Sequence, residues 1–162
     1  MDWHALYTRS RHEKRVEQRL RRIGVDPFLP LAPVVSRWTD RRKLIYRPLF
    51  PSYVFFESGE QGLFDVARVD GVIRVLGRSL VKPTIVEDRV IRSLKQLAAS
   101  GVRVERCATF KKGDRARVVR GPLKGLEGTL ITIRRRVRLV IWVKLIGSGA
   151  AVEVASDDVE PA

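Results

Sequence analysis

The feature that most constrains the fold is a C-terminal stretch in which glycines separate runs of aliphatic and β-branched residues. Residues 117–133 contain three of them, Gly121, Gly125 and Gly128. Glycine adopts left-handed backbone conformations at little cost, so this placement indicates tight turns between short strands. The strand candidates of the C-terminal part are residues 116–119, 129–133, 138–145 and 151–154. Their spacing predicts a small β-barrel.

The first part of the chain mixes strands with amphipathic helices. Val16, Leu20 and Ile23 recur with helical spacing, which predicts a helix over residues 11–23. Residues 53–57 are aromatic and β-branched, which predicts a strand. Pairs with the spacing of a helix-capping box are Ser10 with Glu13, Ser58 with Gln61, and Thr84 with Glu87. The resulting order, βαβββαβα, predicts an α+β sandwich in which helices pack on an antiparallel sheet.

The domain organisation follows from a change of pattern at Gly101. Long helical periods end there, residues 102–108 are mixed, and short β-rich pieces begin soon after. We therefore predict an N-terminal α+β domain at residues 1–100, a linker at 101–108 and a C-terminal β domain at 109–162.

The charge of the chain indicates the class of its partner. The sequence has 32 Lys and Arg against 18 Asp and Glu, a net charge of +14, while 44% of its residues are apolar. The apolar fraction excludes a disordered basic tail, and the charge favours a polyanion such as nucleic acid. The alternative is a basic protein whose charge serves only solubility. No apolar run approaches the roughly 20 residues of a membrane span, and no secretory signal precedes the first strand, so we expect a cytoplasmic protein.

Catalytic and metal-binding groups are scarce in the sequence. Cys107 is its one cysteine, and His4 and His12 are its two histidines. We expect no metal site, no cofactor and no enzymatic activity, because no nucleophile–base set or phosphate-binding glycine loop is evident.

Several stretches together resemble a known family. Residues 117–133 resemble a KOW motif, which forms part of a five-stranded barrel in ribosomal proteins and transcription factors. The N-terminal part contains WHALYTRSRHEKRVEQRL, FLP, RPLFPSYVFFE and RVDGVIRVLG. With the KOW motif, they make nearly the whole chain resemble the NusG family of transcription elongation factors, with an N-terminal NusG domain before the KOW domain. The stretches PLFPSYVFF and RHEK are more similar to the specialised RfaH and UpxY-like antiterminators than to housekeeping NusG.

The resemblance implies an apolar pocket in the N-terminal domain that grips the clamp helices of RNA polymerase. The matching positions are Tyr7, Phe50, Pro51, Tyr53 and Phe55. Strand alternation puts Tyr53 and Phe55 on one face and Val54 and Phe56 on the other, and we expect one of these faces to be core. The alternative for Phe50 and Phe55 is that both are ordinary core aromatics.

The resemblance to RfaH implies contacts between the first helix and the non-template DNA strand. The matching positions are Arg9, His12, Arg15 and Arg19. A second group, cationic except for one threonine, lies at the tip of a predicted hairpin and could reach DNA or polymerase: Arg37, Thr39, Arg41, Arg42 and Lys43. The alternative for both groups is a solvated basic surface. The His-Thr-Thr segment of RfaH has no counterpart here, where the sequence reads EQGLFDVA.

In the family, the KOW domain recruits ribosomal protein S10 or the termination factor Rho. The matching loop positions are Leu123, Leu126 and Ile146. Alternatively, these residues cap the end of the barrel. Residues 137–143 are β-branched and continuous, so we expect strands here rather than the helical hairpin that this domain can form in RfaH.

These observations lead to one prediction of function and two alternatives. We expect a non-catalytic, monomeric factor for transcription elongation, antitermination or termination, with RNA polymerase, the non-template DNA strand, and S10 or Rho as partners. The alternative is a ribosome-associated KOW protein that binds RNA. A repressor that reads duplex DNA is disfavoured because a helix-turn-helix pair is not evident.

Overall fold

The computed structural model describes residues 2–38, 41–59, 62–110 and 112–162. In chain order its helices and strands are β1 (Trp3–Thr8), α1 (Glu13–Arg22), β2 (Asp26–Phe28), β3 (Leu31–Trp38), β4 (Arg41–Pro48), β5 (Tyr53–Glu57), α2 (Leu63–Ala67), β6 (Val72–Val75), α3 (Asp88–Ala99), β7 (Val104–Cys107), β8 (Arg115–Val118), β9 (Glu127–Ile133), β10 (Arg136–Val143), β11 (Ser148–Glu153) and β12 (Val159–Pro161). The chain divides into two compact units, one formed by Met1–Pro30 with Phe50–Ile91 and the other by Leu31–Leu49 with Arg92–Ala162.

The first unit is built on a four-stranded antiparallel sheet in the order β2-β5-β1-β6. Strand β5 is flanked by β2 and β1, and its residues Val54, Phe55 and Phe56 are all fully buried. The expectation that only one face of this strand is core is therefore wrong. Its successive side chains point to opposite faces, and both faces are covered.

The predicted first helix forms and buries two of the three residues of its predicted apolar stripe, whereas Ile23 is the half-buried C-cap after the helix. Val16 and Leu20 have no exposed surface, and Arg21 forms an ion pair with Glu17 one turn earlier, at 3.2 Å. The helix begins later than predicted, because the chain first makes a turn in which the amide of His12 donates to the carbonyl of Arg9, at 3.1 Å.

The helix-capping boxes predicted from the sequence are wrong. The N-cap of α1 is His12, which makes no side-chain capping bond, so Ser10 lies two residues too early to cap it. Helix α2 likewise follows Gly62 rather than Ser58, and the amides of Val90 and Ile91 bond to the carbonyl of Glu87 at the start of α3. A capping box needs its serine or threonine directly before the first helical residue, which none of these helices provides.

The second unit contains the β-rich C-terminal part of the chain and the β3–β4 hairpin. Its six strands pair antiparallel in the order β12-β8-β9-β10-β11-β7. Leu139, Ala150 and Val152 form part of the packed interior, each at most 1% exposed. The predicted α+β class with a β-rich C-terminal domain is confirmed, and residues 137–143 form a strand as expected.

The segment predicted as a linker contains a strand. Val104–Cys107 form β7, whose residues pair with β11 from Val104 opposite Val152 to Cys107 opposite Gly149. This segment of mixed polar and apolar residues forms a strand because the backbone of β11 supplies its hydrogen-bond partners. The domain boundaries at residues 100 and 109 stay predictions. Within the described residues, no helix is both long and apolar enough to cross a membrane.

Candidate functional site

Two tyrosines lie side by side at one end of the first sheet. Tyr7 of β1 is the register partner of Tyr53 of β5, and their ring centroids are 5.5 Å apart with planes at 54°. Both side chains are half-buried, whereas the next pair inward on the same face, Ala5 and Phe55, is fully buried. The phenol rings therefore end a packed aromatic layer and meet solvent.

The turn before β5 fixes this edge. The carbonyl of Ser52 accepts a hydrogen bond from the amide of Thr8 at 2.8 Å, and the amide of Tyr53 donates to the carbonyl of Phe50 at 3.2 Å. Ser52 has a left-handed backbone with φ of 69°, a conformation that a serine adopts only when its surroundings impose it. Pro51 is exposed in the same turn, so a rigid apolar ring stands beside the tyrosine pair.

Phe50 and Phe55 lie in the core beneath this edge. Phe50 is 2% exposed and meets Phe55 edge to face, with centroids 6.3 Å apart, while Phe55 stacks on Phe28 at 6.1 Å. Both phenylalanines are therefore core aromatics, as the alternative interpretation of the sequence held. They support the surface formed by Tyr7, Pro51 and Tyr53 and have no area to offer a partner directly.

The cationic residues around α1 differ in how freely they can reach a ligand. Arg9 and Arg15 are exposed. Arg19 donates to the backbone carbonyl of Asp70 at 2.7 Å and lies 3.6 Å from its carboxylate. Arg19 therefore ties the helix to the Asp70 turn, and Arg9 and Arg15 carry the freely presented charge.

His12 occupies a confined position between these arginines. It is half-buried, and its Nδ1 is buried without a hydrogen-bond partner among the described residues. Gly71 lies next to the ring, and its carbonyl accepts a hydrogen bond from the amide of Arg9 at 2.9 Å. The Asp70–Gly71 turn thus positions Arg9, His12 and Arg19 together. The sequence signals this turn by its Asp-Gly dipeptide, but the role in placing the helix was missed.

The predicted hairpin is present, and only part of its cationic tip can be described. Arg42 and Lys43 are exposed on β4, and the register places Arg42 opposite Arg37 and Lys43 opposite Ser36. Thr39 and the side chains of Arg37 and Arg41 lie outside the described residues. The same strand exposes two large apolar side chains, Leu44 and Tyr46.

In the second unit, the glycine-bearing loop buries its leucines. Leu123 and Leu126 are 5% and 1% exposed, so they cap the packed interior, while Ile146 is half-buried in a short 3-10 turn. Of the three predicted contact residues, only Ile146 retains apolar area for a partner.

The glycines of this loop serve two purposes. Gly121 and Gly125 have φ of 86° and 90° in open surroundings, which confirms their role as turn residues. Gly128 instead lies within β9, where a Cβ atom would be 2.6 Å from the carbonyl oxygen of Val140. It is needed for close packing rather than for a turn.

Ion pairs organise the charge on the β7–β11 side of the second unit. Arg138 donates to the carboxylate of Glu105 at 2.6 Å, and this hydrogen bond is the main cause that lowers the pKa of Glu105 below its ordinary value. The positive charges of Arg138, Arg103 and Arg136 add to the effect, and partial burial opposes it. Elsewhere, the hydrogen bond to Glu127 raises the pKa of Arg117. No group of three His, Cys, Asp or Glu that could hold a metal ion occurs in the described part of the chain.

A family model described as "Transcription termination factor nusG" matches residues 1–95, more than half of the chain. The chain belongs to the NusG family. Curated relatives that match nearly the whole chain are transcription termination/antitermination proteins NusG. The protein from Thermus thermophilus is 24% identical over 95% of each chain, and that from Treponema pallidum is 28% identical over 98% of this chain and 97% of its own.

The fold is shared with a solved structure of NusG from Thermotoga maritima. The match has a TM-score of 0.52 and 24% identity, and it covers 99% of this chain and 96% of that one. The chain is thus a NusG-type transcription termination/antitermination factor. The family match covers the N-terminal residues 1–95. The alternative of a ribosomal KOW protein does not explain this part of the chain.

Proposed function

We propose that this NusG-type factor binds RNA polymerase through the edge formed by Tyr7, Pro51 and Tyr53, docks there on the polymerase clamp helices, and promotes elongation. The observation that carries the proposal is the half-exposed tyrosine pair, with ring centroids 5.5 Å apart, beside an exposed proline on a constrained turn. Aromatic rings with a hydroxyl group are enriched at protein interfaces, where one end is dry and the other remains hydrated.

The core beneath the edge supports this role. Phe50 and Phe55 fix the ring layer from behind, and the hydrogen bond between Thr8 and Ser52 fixes the turn. A surface held in place before binding loses less side-chain entropy when the partner docks. The proposed contact is thus a rigid aromatic surface that is supported from below by the buried phenylalanines.

A second contact in the proposed function is with the exposed non-template DNA strand. Arg9 and Arg15 are exposed next to α1, and the anchored Arg19 keeps the helix in position. Guanidinium groups pair with phosphate and stack on unpaired bases, which suits a single strand. His12, held between them, would act as a neighbouring polar contact. Arg42 and Lys43 extend the positive surface on the hairpin.

For the second unit, we propose recruitment of ribosomal protein S10 or Rho through the loop around Ile146. The burial of Leu123 and Leu126 gives these leucines the role of shaping the loops, so the apolar contact area is small. A small interface of this kind favours micromolar or weaker affinity. The resemblance of RHEK and PLFPSYVFF further favours a specialised antiterminator acting in the cytoplasm alongside polymerase.

The proposal is tested by binding to purified RNA polymerase. Full-length chains carrying Tyr7→Ala or Tyr53→Ala are compared with the unaltered chain in a quantitative pull-down or by interferometry. We expect each substitution to weaken binding by about tenfold or more, because both rings lie at the centre of the proposed contact.

Phe64→Ala is the matched control, since it removes an exposed aromatic ring that is not part of the proposed edge. It is expected to leave polymerase affinity unchanged. Equal binding by all chains, with circular dichroism showing each one folded, would refute the tyrosine edge as the polymerase contact.

A further inference from the structure

The turn between β9 and β10 places two arginines in an unfavourable backbone conformation. Ile133 pairs with Arg136 across the turn, so Arg134 and Arg135 alone connect the strands. Their φ angles are 51° and 66°, both in the left-handed region. Two-residue turns of this kind favour Asn-Gly, and bulky residues weaken them. Strained positions of this sort concentrate where a side chain has a task beyond folding.

The charges of this turn are not neutralised locally. Arg136 pairs with Glu153 at 3.3 Å, and Glu105 is shared by Arg138 at 2.6 Å and Arg103 at 3.2 Å. The nearby carboxylates are thereby occupied. Arg134 and Arg135 are exposed and form no ion pair with any residue in the described ranges. They present two forked cations at the tip of a hairpin.

An aromatic pair lies near the end of β10 that is further from the arginine turn. The rings of Phe110 and Trp142 meet edge to face with centroids 5.4 Å apart, and Phe110 is 58% exposed. The two rings line a shallow surface depression together with Cys107, Thr129 and Val140. Gly149 of β11 is the register partner of Trp142 of β10, and a Cβ atom on Gly149 would lie 3.0 Å from the indole, so the glycine makes room for the ring.

Trp142 of the aromatic pair and Arg136, which directly follows the arginine turn, share one face of the sheet. The register of β10 with β9 and β11 is regular, so Arg136, Arg138, Val140 and Trp142 point to the same side. Val140 is buried on that side in a small apolar cluster with Ile131 and Ala151, which separates the aromatic pair from the arginines. Leu139 and its alternate neighbours point to the packed interior. From Trp142 to Arg136 this face extends about 20 Å at the usual rise of a strand. That length suits a segment of a few nucleotides.

We propose that this face, hereafter the β10 outer face, binds a single-stranded nucleic acid. Bases stack on Phe110 and Trp142, and the phosphodiester backbone runs toward Arg134 and Arg135. Exposed rings can stack only on unpaired bases, which favours a single strand over a duplex. An acidic protein surface would use the arginines but would leave the ring pair without a role. The site is separate from the DNA contact proposed for α1.

The test measures fluorescence anisotropy of labelled oligonucleotides of about 12 nucleotides, as RNA and as DNA of the same sequence. All chains are full length and carry Arg9→Ala and Arg15→Ala, so that the α1 contact does not contribute. Phe110→Ala is expected to weaken binding by roughly 5- to 100-fold, the range found for loss of one stacking ring.

The arginine turn is tested by the double change Arg134→Asn with Arg135→Gly, which supplies the preferred turn residues. This variant is expected to unfold at a higher temperature and yet to bind more weakly. The slope of log affinity against log salt should fall by about 1.4, for two phosphate contacts on a single strand. The control is Arg120→Asn with Lys124→Asn, which removes two exposed cations from a different loop and should leave that slope nearly unchanged.

Photocrosslinking with a thiouracil-substituted strand gives a readout independent of stability. Crosslinks at Phe110 or Trp142 support the proposal, and the stronger of the RNA and DNA arms identifies the nucleic acid. The proposal is overturned if both turn and ring variants bind like the control chain. It is also overturned if a polyglutamate peptide binds equally well without any contribution from the rings, which would identify an acidic protein as the partner.

Discussion

Gly71 lies so close to Val16 of the first helix that its Cα has no room for a side chain. A Cβ atom on Gly71 would be 2.8 Å from Cγ2 of Val16 and 3.3 Å from Nδ1 of His12. Its φ of 98° is also unfavourable for any other residue. The same turn bonds to Arg9 and Arg19, so the close packing of Gly71 on Val16 places the turn directly beside these two cations.

Gly71→Ala is therefore expected to destabilise the fold by about 2–5 kcal/mol, the sum of a left-handed alanine and an overpacked contact. Gly24→Ala is the matched control, because Gly24 has φ of 83° but nothing lies within 4 Å of where its methyl group would stand. It should cost only about 1–2 kcal/mol for the backbone. Urea unfolding of both variants measures the difference, and equal losses would contradict the packing explanation.

The sequence predicted those parts of the fold that depend only on neighbouring residues. The buried stripe of Val16 and Leu20, the strand at residues 53–57 and the turns at Gly121 and Gly125 all follow from spacing and backbone preference. Strand β7 could not be predicted in this way, because its residues are mixed and form a strand only through pairing with β11. The capping boxes failed because the first helical residue of each helix lies further along the chain than the predicted serine or threonine requires.

The candidate site was predicted less completely than the fold. Alternation correctly put Tyr53 and Phe55 on one face, but it cannot reveal that the layer is covered above Phe55 and open above Tyr53. That difference depends on Phe28 and Phe50, which reach Phe55 from other parts of the chain. For the same reason, Arg19 could not be distinguished from Arg15 until the distant Asp70 turn was seen beside it.

The buried and exposed aromatics of the polymerase edge should respond to substitution in opposite ways. Phe50→Ala is expected to cost about 3–5 kcal/mol of stability, because it opens a cavity against Phe55. Tyr53→Ala should cost less stability and more polymerase affinity. Thermal unfolding and polymerase titration of both variants check this contrast. Phe50→Leu, which keeps most of the volume, should bind polymerase nearly as well as the unaltered chain; a tenfold loss with an intact fold would show that Phe50 itself contacts the partner.

Substitutions of two arginines of the first helix should affect the stability of the fold and the binding of DNA differently. Arg19→Met removes the hydrogen bond to the Asp70 carbonyl and is expected to cost about 1 kcal/mol. Arg15→Met should change stability by less than about 0.5 kcal/mol, because its side chain is exposed. On single-stranded DNA, Arg15→Met should lower the slope of log affinity against log salt by about 0.7. An unchanged slope would remove Arg15 from the proposed DNA contact.

The ion pair between Glu105 and Arg138 should give the second unit a dependence on acid pH. The hydrogen bond from Arg138 lowers the pKa of Glu105 below its ordinary value of 4.5. The folded state therefore binds this proton less readily than the unfolded chain, so the stabilisation is present above pH 4.5 and is lost as the pH falls through the lowered folded value. Urea unfolding of the unaltered chain, Glu105→Gln, Arg138→Met and the double variant gives the coupling free energy at each pH. We expect a favourable coupling near neutral pH that shrinks as the solution is acidified and is smaller in high salt, since the carboxylate side chain is 43% exposed. A coupling that keeps the same size across this acid range would show that the bond between the two side chains does not depend on the carboxylate charge.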